Sequence, residues 1–387
     1  MKRLCIATST RADWGILTPL AVALRDCGKL KLQILATNMH LLESRGHTVD
    51  QIEADGFTFD ARVPMPDEGD SPLSRAQAMA ACLEGSAKAL TELKPDALLI
   101  LGDRYEMLAI ASASTLLGIP IIHLHGGEIT EGAFDDSIRH AITKLATLHL
   151  TSTEPYRQRV IQMGEQPQMV VNTGSLGVWN MMNQPRISRE ELCEELGFSP
   201  EKKFCIATFH PATLDPESPA LRCRAMLDAL DKYPDIHVIA TYPNNDPGGD
   251  AIIAELKAWA EANPQRVTLV KSLGMHRFMS AVAEAEFVIG NSSSGIIEVS
   301  ATGVPAINIG IRQRGRLHGP LVIDCGDDSQ QIDEAIRKAL DHDFLTEARR
   351  GENPYYKSDS VQIALDSILQ FMNSLPRGPK TFHDIAL

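Results

Sequence analysis

From Glu286 the chain reads EFVIGNSSSGIIEV, so that Asn291, Ser292, Ser293, Ser294 and Gly295 stand between an apolar run and a stretch of helical period. Phe287 to Ile289 read as a buried strand, and Ile296, Ile297, Val299 and Ser300 fit a turn and more of helix. Serines at a helix start meet free backbone N–H groups and the positive end of the helix dipole, which favours an anion by roughly 0.3–2 kcal/mol. Hydroxyls add donors, and Gly295 lets a ligand approach the backbone. Glu298, one turn on, suits the acceptance of hydrogen bonds from a ribose diol. The loop has the chemistry of a phosphate cradle. A capping box competes as a reading, but a cap needs one serine and this loop carries three.

Titratable side chains gather at other strand ends. The segment GDRYE places Asp103 and Arg104 after a glycine turn, and a carboxylate beside an arginine stays ionised, as a catalytic group or as a helix cap. HLHGGE brings His123, His125 and Glu128 around Gly126-Gly127, and Asp135, Asp136, Arg139 and His140 follow at once. Glu128 with one of the aspartates suits an acid/base pair that takes or delivers a proton, while Asp135 and Arg139 also stand at the i,i+4 spacing of a structural ion pair. His123-x-His125 has no third metal ligand at a familiar spacing, so no metal is expected. Arg11 offers a fork of donors to a diphosphate or forms a surface pair. His40 contacts a sugar hydroxyl or caps the next helix. In the second half His210 either holds or protonates a departing phosphate oxygen or is a packed histidine before Pro211. Asn245 in YPNND and Arg312, Arg314 and Arg316 in IRQRGR converge with the serine loop and supply a local positive field.

The elements that must position these groups alternate. Apolar strands are expected at about 3–8, 32–37, 97–101, 119–124 and 147–152, each followed by a helical stretch, and the rhythm restarts at 204–208 with runs near 236–241, 267–270, 286–289, 305–309 and 321–324. That is the pattern of two parallel, doubly wound α/β sheets. Gly174, Gly177 and Pro185 punctuate the junction, and Ser188-Arg-Glu-Glu191 opens the next helix as a capping box. The expected domains are 1–173, 188–365, and a tail 366–387 that crosses back to the first. Open parallel sheets bind ligands at the carboxyl ends of their strands, so the informative loops are expected to line one cleft. Asp67 to Pro72 reads as a surface loop.

Composition narrows the function classes. At 387 residues the chain exceeds one ordinary core, and 44% hydrophobic with 22% charged residues is a globular balance. Fifty acidic against 37 basic side chains give a net charge of −13 without a basic block, which argues against nucleic acid. Seven scattered cysteines without a Cys-x-x-Cys pair point to neither a disulfide frame nor a zinc site. No targeting or membrane segment is read at the start, so a cytoplasmic protein is expected.

Taken in order, TSTRADWG, GDRYE, HLHGGEIT, FDDSIRH, FHP, YPNND, GNSSSGIIE and NIGIRQRGR resemble the hydrolysing UDP-N-acetylglucosamine 2-epimerases over about residues 3 to 383, and Asn353-Pro354-Tyr355 and the stretch from Lys380 to Asp384 resemble that family's C-terminal segment. The resemblance implies a glycosyltransferase-B type fold of two Rossmann-like domains, and chemistry without metal or coenzyme. A carboxylate takes the proton at sugar carbon-2 while UDP leaves carbon-1, and water adds to the resulting 2-acetamidoglucal. It implies carboxylate roles for Asp103, Glu128 and Asp135, and a leaving-group role for His210. Asp135 stands where more distant, non-hydrolysing relatives carry glutamate. UDP is expected at Arg11, Arg104, Asn245, Ser292, Ser293, Ser294, Gly295, Glu298 and Arg312, and the sugar at His40, His125 and Arg139. A homodimer or homotetramer is expected, with a UDP-sugar as the only partner class. UDP-N,N'-diacetylbacillosamine competes as substrate, because the motifs meet only UDP and carbons 1 and 2. A sugar transferase of the same architecture and a non-catalytic nucleotide-sugar sensor are the rival functions, and neither has need of Glu128 with Asp135.

Overall fold

Strands that run apolar without alternation must be covered on both faces, and β4 (Ala97–Leu101), ALLIL, is buried at all five positions. In the computed structural model, which describes residues 1–42, 52–53, 55–66, 71–131, 133–212, 217–243, 248–375, 378 and 380–385, that strand lies inside a seven-stranded parallel sheet. The sheet also holds β1 (Lys2–Thr8), β2 (Leu30–Thr37), β3 (Ala61–Val63), β5 (Ile121–Leu124), β6 (Leu148–Thr151) and β7 (Val170–Asn172), in the order β3-β2-β1-β4-β5-β6-β7. A second sheet is built from β8 (Phe204–Thr208), β9 (His237–Thr241), β10 (Val267–Val270), β11 (Val288–Gly290), β12 (Ala306–Ile309) and β13 (Val322–Cys325), in the order β10-β9-β8-β11-β12-β13. Counted within its own unit the second order is 3-2-1-4-5-6, the doubly wound Rossmann order, and the first adds one strand to it. The fold is therefore two Rossmann-like α/β units, and the expected strands are all present. The three-residue edge strands β3 and β7 are additional.

The chain passes between the units several times. The first comprises residues 1–128, 135–179 and 357–387, and the second 129–134 and 180–356. Ala364, Ile368, Phe371 and Met372 of the helix Ser360–Asn373 join Leu17, Leu20 and Leu24 of the helix Arg11–Asp26 in the first core. Each of the leucine, isoleucine, phenylalanine and methionine side chains contributes about 1.5–3 kcal/mol on burial, which fixes the end of the chain to its beginning. Beyond that helix, Lys380 donates to the carbonyls of Lys144 (2.8 Å) and Ala146 (2.7 Å) and lies 2.6 Å from the buried carboxylate of Glu165. Among the described residues no helix is long and apolar enough to cross a membrane, and all seven cysteines are free thiols.

In a doubly wound sheet the chain leaves neighbouring strands in opposite directions at one point, and a crevice opens there. That point lies between β1 and β4 in the first unit and between β8 and β11 in the second. The segments that follow these four strands carry Arg11, Asp103 with Arg104, His210 and the serine loop.

Candidate active site

In the first unit β1 ends in a closed hydrogen-bond net. Thr10 caps the helix Arg11–Asp26 in a capping box with Asp13, whose carboxylate accepts from the backbone N–H of Ser9 (2.8 Å) and of Thr10 (2.7 Å). Arg11 is the first residue of that helix. His40 has no exposed surface, and its Nε2 lies 3.0 Å from Thr8 Oγ1 and 4.0 Å from Asp13. Burial pulls its pKa down, the Asp13 charge acts the other way, and the Arg11 charge adds to the depression. His40 thus stands beneath the loop as a neutral support.

At the end of β4, Gly102 adopts a φ of 82° that favours glycine, and its carbonyl accepts 2.7 Å from Nε2 of buried His123. Burial pushes that imidazole down to about 3, so the ring is a fixed neutral donor beneath the turn. No group of three His, Cys, Asp or Glu among the described residues is placed to hold a metal. The turn presents Asp103, which pairs with Arg139. Arg104 instead reaches Glu106, a fully buried carboxylate that also accepts from Asn38 (2.9 Å). Burial alone would raise the Glu106 pKa, but the Arg104 charge and the hydrogen bonds from Arg104 and Asn38 outweigh it and hold it low.

The loop after β5 needs its two glycines. A Cβ on Gly127, at φ 80°, would lie 2.5 Å from the Tyr156 carbonyl oxygen, and one on Gly126 would lie 3.0 Å from Thr143 Oγ1. Close packing there turns the chain so that Glu128 is buried, with the Ser152 hydroxyl donating to its Oε1 at 2.7 Å. His125, at φ 65°, places Nδ1 3.3 Å from the same oxygen, and its Nε2 is buried without a hydrogen-bond partner. Such a backbone conformation in a non-glycine residue costs of order 1–3 kcal/mol and clusters at functional sites.

Arg139 binds these loops together. Its side chain is 1% exposed, Nη1 donates to the Glu128 carbonyl at 2.9 Å and to Asp136 at 3.0 Å, and Nη2 holds Asp103. One guanidinium therefore joins the β4 loop, the β5 loop and the first turn of the helix Asp135–Leu145. Asp135 is the first residue of that helix, and Asp136 forms an i,i+3 ion pair with Arg139. Ser152 was not singled out by the sequence, although it follows β6 at its carboxyl end and shares that signal with the other loops.

In the second unit the serine loop is fixed from below. Gly290, at φ 140°, is paired with Thr208, and a Cβ there would lie 1.8 Å from the Thr208 carbonyl oxygen. The next residue, Asn291, is buried and uses its amide as a two-way clamp, accepting from the His210 N–H and donating to the His210 carbonyl, both at 2.7 Å. Its own carbonyl accepts from Arg312 and Gln313, each at 3.1 Å. Ser292 caps the short helix Ser293–Ile297, Ser293 and Ser294 form its first turn, and Glu298 closes it. A Cβ on Gly295 would meet only Ala306 Cβ at 3.6 Å, an ordinary contact. Burial, and then the Arg312 charge, hold the His210 imidazole well below its usual range, so the ring is neutral. Phe209, Ala212, Asn291, Ile309, Gly310 and Arg312 line a recess at the ends of β8, β11 and β12. Asn245 and residues 67–70 lie outside the described residues.

The geometry has counterparts. The family described as UDP-N-acetylglucosamine 2-epimerase matches residues 22–369. The polysialic acid biosynthesis protein P7 of Escherichia coli is 35% identical over 386 residues, covering 100% of this chain and 98% of the relative. The GDP/UDP-N,N'-diacetylbacillosamine 2-epimerase (hydrolyzing) of Campylobacter jejuni is 36% identical over 343 residues, or 89% of this chain and 88% of the relative. The crystal structure of UDP-GlcNAc 2-epimerase from Neisseria meningitidis bound to UDP-GlcNAc shares the fold with a TM-score of 0.80 at 16% identity, covering 96% of this chain and 100% of that one. With a family match over most of its length and relatives above 30% identity along it, the chain belongs to the UDP-N-acetylglucosamine 2-epimerase family.

Proposed function

We propose that the chain is a hydrolysing UDP-sugar 2-epimerase that converts UDP-N-acetylglucosamine and water to N-acetylmannosamine and UDP. The observation that carries this reading is the buried Arg139, which ties Asp103 and the Glu128 loop to the start of the helix that begins with Asp135. The guanidinium meets the carboxylates of Asp103 and Asp136 and the carbonyl of Glu128, and so gathers acidic residues of three segments beside one another.

The reaction runs in two balanced steps. A carboxylate of the Asp103, Glu128 and Asp135 set takes the proton from carbon-2 as the carbon-1 to oxygen bond breaks. The electron pair forms the carbon-1 to carbon-2 double bond, and UDP departs. Water then adds its oxygen to carbon-1, with its proton passing to a carboxylate, while a proton is delivered to carbon-2 on the opposite face. Neutral His210 supplies an N–H donor to the departing diphosphate, and Arg312 beside it supplies the charge. Ser292, Ser293, Ser294 and Gly295 cradle the phosphates, Arg11, Arg104 and Asn245 complete the nucleotide contacts, and Glu298 takes the ribose. His125 and Arg139 border the sugar and His40 supports the loop beside it. The free thiols fit a reducing cytoplasm, and we take the working form to be a homo-oligomer.

UDP-N,N'-diacetylbacillosamine is the second reading, favoured by the relatives from Campylobacter jejuni and Legionella pneumophila, the latter 33% identical and also described as acting on that sugar. Incubation with each UDP-sugar separately, with UDP and free sugar followed by chromatography, decides between them. The proposal requires UDP and a manno-configured free sugar from UDP-N-acetylglucosamine. Turnover of the bacillosamine derivative alone supports the second reading, and UDP release from neither removes both.

A further inference from the structure

We propose that residues 129–131, 133 and 134 act as a strap through which an occupied nucleotide loop sets Glu128 and Asp135 in place, with Thr130 and Arg316 as positioning residues. This inference rests on the 2-epimerase reading. Glu128 and Asp135 belong to the first unit, yet the six residues between them belong to the second. What holds them there is a buried guanidinium: Arg316 donates through Nη2 to Thr130 Oγ1 at 2.9 Å and through Nε to the Ile129 carbonyl at 3.3 Å. Ala133 N–H closes the segment on the Thr130 carbonyl at 3.1 Å. The Arg314 to Glu131 pair is largely exposed and adds little.

Two consecutive carbonyls are thus held by different arginines, that of Glu128 by Arg139 of the first unit and that of Ile129 by Arg316 of the second. Gly315 brings the two segments of the second unit together. At φ 83° it lies so close that a Cβ would sit 2.8 Å from Ile129 Cγ2 and 2.9 Å from Glu131 Oε1. The same loop begins with Arg312 and Gln313 on the Asn291 carbonyl, and Asn291 clamps His210. It is backed by Tyr355, whose hydroxyl donates to the Leu317 carbonyl at 2.7 Å. An unbroken series of packed and hydrogen-bonded groups therefore runs from the serine loop through 312–316 to the strap. From there the covalent chain leads to one candidate carboxylate at each end. A diphosphate that immobilises Arg312 also immobilises the strap, and proton transfer then becomes conditional on the nucleotide being present.

The test uses the full chain with 2-acetamidoglucal as the added sugar, hydrated with and without saturating UDP. In the wild type UDP is expected to accelerate hydration by about tenfold or more, since misplacing a catalytic group by about 1 Å costs about 10²-fold. Thr130→Val keeps the shape and loses the hydroxyl. It should bind UDP within about threefold of the wild type by calorimetry, with UDP acceleration reduced below about threefold and kcat on the UDP-sugar reduced about tenfold. Thr130→Ser restores the hydroxyl and should restore all three. Arg316→Lys should behave as Thr130→Val does, and if it fails to fold the Thr130 pair decides alone. Equal hydration rates with and without UDP in the wild type overturn the coupling, as does a Thr130→Val protein with wild-type kcat and acceleration. A wild type that releases UDP from no UDP-sugar overturns the functional reading instead.

Discussion

Replacing Arg139 by lysine keeps the charge and removes the fork. From a side chain 1% exposed, Nη1 of the guanidinium reaches the Glu128 carbonyl at 2.9 Å and Asp136 at 3.0 Å, and Nη2 reaches Asp103. One ammonium on a shorter reach cannot stand in both nitrogens' places and leaves one or two of these contacts unmade. A hydrogen bond to a charged group contributes about 1.5–3 kcal/mol. Asp103 and Asp136 are 27% and 29% exposed, so water recovers part of that, and the net loss comes to about 2–3 kcal/mol. With a urea slope near 3 kcal/mol/M for a unit of this size, the transition of the first unit shifts down by about 0.7–1 M. Turnover should fall about 10²-fold through displacement of Asp103 and the Glu128 loop. Arg139 is placed beside the sugar and not on the nucleotide, so UDP affinity should remain. Urea melts followed by circular dichroism, steady-state kinetics and UDP calorimetry measure the three quantities. An Arg139→Lys protein with the parental midpoint and kcat refutes the role given to the fork.

Glu128→Gln should lower kcat by about 10²-fold or more while UDP still binds, the range for loss of general acid/base help, and unchanged turnover removes Glu128 from the chemistry. Gly290→Ala sets a Cβ 1.8 Å from the Thr208 carbonyl oxygen at a φ of 140°, so strand separation and strain together should cost about 2–6 kcal/mol, and a thermal melt within 1 °C of the parent, about the error of the measurement, contradicts that. Acid should destabilise both units early. His123 is pushed by burial to about 3, and His237 by burial and then by Lys202 and Arg266 to about 4, whereas both titrate near 6.5 when unfolded. Below that value the unfolded chain binds protons that the folded chain does not. Each histidine therefore removes about 1.4 kcal/mol per pH unit down to its folded value. Burial alone would raise the Glu165 pKa, but bonds from His149, Lys144 and Lys380 hold it at about 2, so its contribution is lost in turn as the pH falls from about 4.5 toward 2. Urea midpoints that stay level from pH 7 to pH 5 are inconsistent with neutral buried histidines.

The strands were legible because burial on both faces writes parallel strands as apolar runs such as ALLIL, and the loops because chemistry collects at strand ends. The edge strands β3 and β7 are three residues long and leave no such run. The role of Arg139 was hidden for a different reason. Its partner Asp103 is 36 positions away, and between Asp135 and Asp136 the helical spacing alone does not say which turns toward it. The Asn291 clamp on His210 spans 81 positions, and the contacts of Arg316 with residues 129 and 130 span more than 180. The Asp103 and Asn291 pairings are set by sheet order, which places β4 beside β5 and β8 beside β11, and the periodicity of single segments does not encode it. Gly290 could be read from sequence as a turn former, but the demand on it is the Thr208 carbonyl of the neighbouring strand.

Exchange of the carbon-2 proton by a carboxylate, through an elimination and a hydration, is followed by running the reaction on UDP-N-acetylglucosamine in deuterated water and observing the sugar by proton NMR. Free UDP and N-acetylmannosamine with deuterium at carbon-2 and loss of that proton signal are expected. Free UDP with N-acetylglucosamine, or a manno product still carrying the original proton, contradicts it.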